Sequence, residues 1–161
     1  MMLGKVWGFT LIELLVVVAI ISILASIVLV SLGASRNKGG DAAVKTNLNT
    51  IKSQAELFYS NNSDSFLPSV GTVFNINTCP SYDPLGSNMF SKDKVMASVI
   101  TEAVVRGSGQ SSCYNSSIYW AVAISLKTDA NTSWCIDSGG NSKQIASVPE
   151  NAINATTLSC N

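Results

Sequence analysis

Gly8-Phe9-Thr10-Leu11-Ile12-Glu13-Leu14-Leu15-Val16-Val17-Val18-Ala19-Ile20 opens an apolar run that does not close until Leu32. From Phe9 to Leu32, 19 of 24 side chains are apolar, and Glu13 is the one charge. As a helix this run is about 36 Å long, enough to span a hydrocarbon core of ~30 Å. No proline interrupts the chain between Gly8 and Pro68. The many Val and Ile residues are weak helix formers in water, but a single span in lipid has no other way to satisfy its backbone. Gly33 and the Gly39-Gly40 pair are expected to bend the exit from the run, at ~1 kcal/mol each against Ala if helical.

Beyond the run the pattern becomes amphipathic. Val44, Leu48, Ile51, Ala55 and Phe58 follow at spacings of four, three, four and three, which is one stripe on a helix. Lys45, Asn47, Asn49, Lys52 and Gln54 occupy other faces. The spacing predicts one helix from Phe9 to about Ser60, ended by Asn61-Asn62-Ser63-Asp64. It divides the chain into an N-terminal segment 1–8, an apolar half-helix 9–33, an amphipathic half-helix 34–62 and a head 63–161.

The whole chain has 161 residues, with 10 Lys+Arg, 10 Asp+Glu and no histidine. Zero net charge argues against nucleic-acid binding by bulk electrostatics, and no sequence-specific nucleic-acid partner is expected. A histidine base or histidine metal ligand is excluded. From Gly33 onward only 51 of 129 residues are apolar, so the apolar excess belongs to the N-terminal rod.

Glu13 is the informative residue of that rod. A carboxylate within a membrane helix costs up to ~2.5–3.5 kcal/mol on insertion scales, less near an end. It needs a cation. Lys5 is one; a free α-amine on Phe9, exposed by a cut after Gly8, is another. In a packed bundle of such helices, Glu13 of one chain would meet the amine of its neighbour. That pair would set axial register, because the other positions of the run are interchangeable.

The string Gly8 to Ile20 closely resembles the class III signal of type IV pilins and of type II secretion pseudopilins: glycine, phenylalanine, then glutamate at the fifth mature position. The resemblance covers roughly the first 60 residues. It implies a leader, 1–8, that a prepilin peptidase removes between Gly8 and Phe9, with N-methylation of Phe9. It implies an α+β lollipop fold, the second half of the helix packed on a small antiparallel sheet. It also implies a homo-oligomeric helical filament, an assembly platform at the inner membrane, and Glu13 paired with a neighbour's N-terminus. The precursor would be a single-pass protein in inner-membrane lipid, and the product an extracellular pilus or a periplasmic pseudopilus. The chain departs from many pilins in having Ser22 for glycine and Val30 for proline. An ordinary cleaved secretory signal fits less well, since the run is too long and Leu32-Gly33-Ala34 is a poor cut site.

In the head, residues 64–90 read as an irregular loop with Pro68, Pro80 and Pro84. Asp83-Pro84-Leu85-Gly86 is a turn, with glycine expected at positive φ. Ser91 is expected to cap a helix from Lys92 to Val105, with Val95, Val99 and Ile100 on its packed side. Between Ser117 and Lys127, Ile118, Trp120, Val122, Ile124 and Leu126 alternate with Tyr119, Ala121, Ala123 and Ser125, a strand with one large and one small face. Thr128 to Thr132 turns into a second strand through Trp134 and Ile136. Ser138 to Asn141 turns again, toward a third strand within Ser142 to Val148. The large face is expected to pack on the Val44–Phe58 stripe.

All four cysteines, Cys79, Cys113, Cys135 and Cys160, fall in the head. An even count beyond a membrane signal suggests two disulfides in an oxidising compartment. If the hairpin turns at Ala130, Cys135 lies opposite about Ser125. An extended chain then places Cys113 roughly 40 Å further on, too far for a bond. Of the two pairings left, Cys79–Cys113 with Cys135–Cys160 closes the shorter loops and is preferred. It would staple the C-terminus across the outer surface of the sheet.

Other groupings carry less. Asp137, Ser138 and Lys143 are better read as a turn than as a catalytic group. Asp83, Asn88 and Asp93 lack the spacing of an EF-hand, so calcium is a conceivable but unsupported ligand and no cofactor is expected. Asn61, Asn115, Asn131 and Asn154 each open an Asn-x-Ser/Thr sequon. The expectation is therefore not an enzyme but a structural subunit of a type IV pilus, with a pseudopilin of a secretion or DNA-uptake machine as the alternative.

Overall fold

A computed structural model describes residues 8–67, 74–76 and 78–161. Met1–Trp7 of the expected leader, Lys5 among them, and Pro68 of the expected loop lie outside the described residues. The chain divides into two compact units, Met1–Arg36 and Asn37–Asn161. Helix α1, Leu11–Asn61, begins in the first unit and ends in the second, and it is continuous through Gly33, Gly39 and Gly40.

In the first unit none of the described side chains of α1 is buried. Its described large apolar side chains from Leu11 to Leu32 are 45–82% exposed. Two of the hydroxyls within the run, those of Ser22 and Ser26, are taken up by the helix itself. Ser22 Oγ donates to Val18 O at 2.7 Å and Ser26 Oγ to Ile23 O at 2.8 Å, so neither adds an open donor to the apolar surface.

The second unit is an α+β head. Its sheet has the order β1-β2-β3-β4-β5, antiparallel throughout: β1 Phe74–Ile76, β2 Ser111–Asn115, β3 Trp120–Ser125, β4 Ser133–Asp137 and β5 Ser142–Ile145. Between β1 and β2 lie two helices, α2 Met89–Lys92 and α3 Lys94–Arg106. After β5 come α4 Pro149–Ala152 and a small ladder of β6 Ile153–Asn154 with β7 Ser159–Cys160.

The sheet is covered on both sides, and the two faces differ as the alternation predicts. Trp120, Val122 and Ile124 of β3, with Leu126 just beyond it, meet Val44, Leu48, Ile51, Ala55 and Phe58 of α1 and Met96, Ile100 and Ala103 of α3. Each large side chain buried there contributes on the order of 1.5–3 kcal/mol. On the other face, Ala121, Ala123, Tyr114 and Cys135 lie beneath Ala152, Ile153, Leu158 and Cys160. Small residues on β3 leave room for this C-terminal segment.

Several expectations need correction. The strand through Trp120 starts later than the alternation suggests. Ser116 Oγ accepts the N–H groups of Ile118 and Tyr119 at 3.4 and 3.0 Å, which makes 116–119 the β2–β3 turn and leaves both side chains more than half exposed. Strand β2 carries no signal in the sequence, since its serines and Asn115 give no apolar period. The stretch 64–90 contains β1 and the start of α2. Ser91 caps nothing: Asn88 caps α2, accepting from Ser91 N at 2.9 Å, and Asp93 caps α3, accepting from Met96 N at 2.8 Å. On α3 the packed side is Met96, Ile100 and Ala103, with Val99 at its margin and Val95 about half exposed. Gly86 closes its turn without a positive φ; glycine is needed there because a Cβ would lie 2.1 Å from Ser91 Oγ.

The disulfides join Cys79 to Cys113 and Cys135 to Cys160, with Cα separations of 5.0 and 5.8 Å. The pairing is the preferred one, but the distance argument for it fails. The chain reverses at 116–119, so Cys113 lies directly beside Val122 rather than 40 Å away, and Cys135 lies beside Ala123 rather than Ser125. Cys113 and Cys135 are kept apart because they point into opposite faces of the sheet.

Candidate functional site

The expected processing and assembly segment sits at the start of α1. Gly8 is exposed, and a Cβ added to it would meet nothing within 4 Å. Nothing among the described residues therefore demands glycine at this position. Phe9 is 79% exposed and, with Ile12, Val16 and Val17, lines a shallow apolar hollow beside Glu13.

Thr10 and Glu13 bind each other reciprocally. Glu13 Oε2 accepts the backbone N–H of Thr10 at 2.9 Å and its hydroxyl at 2.5 Å, while Glu13 N donates to Thr10 Oγ1 at 3.3 Å. This is a capping box, which satisfies N–H groups that a helix start leaves open and places a negative charge at its positive end. The Thr-x-x-Glu spacing that signals this box is legible in the sequence. Oε2 carries both bonds, and Oε1 accepts none from the described residues.

In the head, polar groups first read as possible sites serve the chain itself. Asp83 Oδ1 accepts Leu85 N at 3.0 Å. Asn88 and Asp93 are the two helix caps, and Asp93 Oδ2 also accepts from Gln54 Nε2 of α1 at 3.0 Å. No group of three His, Cys, Asp or Glu side chains among the described residues is arranged to hold a metal ion. Asn115 is wholly buried and donates through Nδ2 to Phe66 O at 2.9 Å, so its sequon is closed in the folded chain.

Asp137, Ser138 and Lys143 do not converge as a reactive group. Ser138 Oγ accepts from Trp120 N at 3.2 Å, and Lys143 is exposed on β5. Asp137 is buried and holds the C-terminal segment: its Oδ2 accepts Cys160 N and Asn141 Nδ2, both at 2.8 Å, and its Oδ1 accepts Asn141 N at 3.0 Å. Burial would raise its pKa, but the donors from Cys160, Asn141 and Gly139 together outweigh burial and hold it below the usual carboxylate value.

A second clamp involves Gly40 and Asp41 of α1. A Cβ on Gly40 would lie 2.7 Å from Arg106 O and 3.1 Å from Lys127 Cβ, so the helix approaches α3 and the β3–β4 loop there as only glycine allows. Asp41 then binds the same loop. No local pattern in the sequence signals this contact, which joins residues 86 apart.

Comparison with known proteins agrees with the helix start. Residues 8–29 match the family model of the prokaryotic N-terminal methylation motif. The chain is 44% identical over 55 residues to the type IV wide pilus major component PilA4 of Thermus thermophilus, a match covering 34% of this chain and 42% of that protein. The chain thus spans less than half the length of the curated relative it matches. Both matches point to the type IV pilin family. No solved structure matches the chain significantly.

Proposed function

We propose that the chain is a structural, non-catalytic subunit of a type IV pilus filament, made as a membrane-anchored precursor. In this reading a prepilin peptidase cuts between Gly8 and Phe9, Phe9 is N-methylated, and an inner-membrane platform moves the subunit from lipid into the filament. The observation that carries the reading is the exposed apolar surface of α1 from Leu11 to Leu32, which overlaps the methylation motif at 8–29 and bears Glu13 as its one charge. Such a surface requires cover, from lipid in the precursor and from copies of itself in the product.

Glu13 has two tasks in this scheme. Within its own chain Oε2 caps the helix. In a bundle, Oε1 is available to the amine that cleavage frees on a neighbouring Phe9. Away from water such a charge pair is strongly orienting, because an unmatched carboxylate there is costly. The neighbour that supplies the amine is thereby fixed along the axis.

Mass spectrometry of the mature chain purified with its filaments tests the reading. The expected N-terminus is methylated Phe9, in filaments visible by electron microscopy. A mature chain that still carries Met1–Gly8, or one that begins elsewhere, counts against it.

A further inference from the structure

Of the four Asn-x-Ser/Thr sequons, the fold closes three. Asn115 is wholly buried and spends Nδ2 on Phe66 O. Two residues after Asn131, Ser133 is buried in the sheet, and its hydroxyl donates to Ser147 O at 2.6 Å. Asn61 ends α1, and Asn62 N and Asp64 N both return to Tyr59 O at 3.1 Å. Residues two apart on such a helical turn do not face each other, so Asn61 and Ser63 cannot act as a pair.

Asn154-Ala155-Thr156 is open. It forms the tip of the β6–β7 hairpin, where residues 155–157 are exposed. The base of that hairpin is fixed. Leu158 is buried, Leu158 N donates to Asn154 O at 2.8 Å, and Cys160 is bonded to Cys135. The tip is therefore presented on a rigid support.

Asn154 is also prepared for chemistry at its amide nitrogen. Its Oδ1 accepts the backbone N–H of Thr156 at 2.9 Å and that of Thr157 at 3.1 Å. These two donors fix the amide plane and draw electron density toward Oδ1, which makes a hydrogen on Nδ2 easier to remove. Nδ2 itself has no partner among the described residues, and neither has the Thr156 hydroxyl.

We propose that Asn154 is an N-glycosylation site, with a sugar linked to a lipid diphosphate as the donor. The exposed Thr156 hydroxyl is the group by which a membrane-bound transferase recognises the site. In the transfer Nδ2 attacks the anomeric carbon of the sugar. The C–N bond forms as the C–O bond to the diphosphate breaks. The lipid diphosphate leaves with the electron pair, and one Nδ2 proton passes to a base of the transferase. The hairpin lies on the face of the sheet opposite α1, so a glycan there leaves the inner core undisturbed. The proposal does not depend on the filament reading. It requires only that the head reach a compartment outside the cytoplasm, as its two disulfides also require.

Mass spectrometry of peptides from the full chain, purified from its own cells, tests the site. The expected result is the mass of a sugar on Asn154, with Asn61, Asn115 and Asn131 bare. Thr156→Ala removes the recognising hydroxyl and leaves both bonds to Asn154 Oδ1 in place. That chain should form the same disulfides and carry no sugar at Asn154, while Thr156→Ser should retain it. The proposal is overturned by a bare Asn154 in the parent, or by sugar found on another sequon or on serine or threonine in its place. It is equally overturned by a Thr156→Ala chain still modified at Asn154, or by a Thr156→Ser chain that is bare.

Discussion

Asp41 accepts the backbone N–H of Lys127 at 2.5 Å, and its carboxylate also receives the N–H and the hydroxyl of Thr128. One helical side chain thus satisfies the start of the β3–β4 loop. Asp41→Ala removes all three bonds at once. It should lower head stability by about 1.5–3 kcal/mol, the range for hydrogen bonds to a charged group, measured as a fall in the thermal midpoint of the detergent-solubilised chain. An unchanged midpoint would mean the loop is held by other contacts.

Gly39 and Gly40 make an internal control. Gly39 has open space where a Cβ would stand, so Gly39→Ala should be neutral or gain up to about 1 kcal/mol from helix propensity. Gly40→Ala should instead destabilise, because the Arg106 carbonyl must give way. Equal midpoints for the two variants would refute a close approach at Gly40.

At Glu13 the two tasks separate by substitution. Glu13→Gln retains an oxygen that can accept from Thr10 but lacks the charge. Glu13→Ala lacks both, at a capping cost of about 1 kcal/mol. If Glu13 sets register by pairing, both variants insert in the membrane and both assemble poorly, as read by filament yield. Normal assembly of the Gln variant with failure of the Ala variant would assign the residue to capping alone.

Asp137 gives a pH dependence with a definite sign. Its folded pKa lies below the ordinary carboxylate value, because the Cys160, Asn141 and Gly139 donors outweigh the effect of burial. The group therefore contributes stability above its unfolded pKa, and the contribution is lost as pH falls through the folded pKa. Asp137→Asn should be less stable than the parent at neutral pH and show a shallower loss on acidification. Parallel pH profiles for the two chains would show that Asp137 does not anchor the C-terminal segment.

Unreduced peptide mapping should recover Cys79 with Cys113 and Cys135 with Cys160. Replacing Cys135 and Cys160 together should cost about 2–4 kcal/mol and loosen the segment over Ala121 and Ala123, seen as faster amide exchange in residues 149–160. A Cys113–Cys135 peptide would be incompatible with the opposite faces those residues occupy.

How much of this was legible follows from the range of each signal. The stripe from Val44 to Phe58 and the alternation from Trp120 to Leu126 name the inner core, because burial on one face imposes a period. The same alternation ran on through Ile118 and Tyr119, since a period cannot mark where a strand stops when turn residues happen to keep step. Strand β2 was silent: Ser111, Ser112 and Asn115 are buried through pairing and hydrogen bonds rather than through apolar character. At the candidate site, the order of glycine, phenylalanine and glutamate was visible as a string. The clamps at Asp41 and Asp137 were not, because each joins the carboxylate to a segment far along the chain.

The bonds from Ser22 and Ser26 to carbonyls of their own helix have a consequence for transport. On the proposed reading these hydroxyls would need no partner from acyl chains or from neighbouring helices, since each is already bonded within its own helix. On that reading, passage from bilayer to filament would ask neither hydroxyl to break a hydrogen bond on departure or remake one on arrival. For these two side chains the proposed passage would cost the same in either direction.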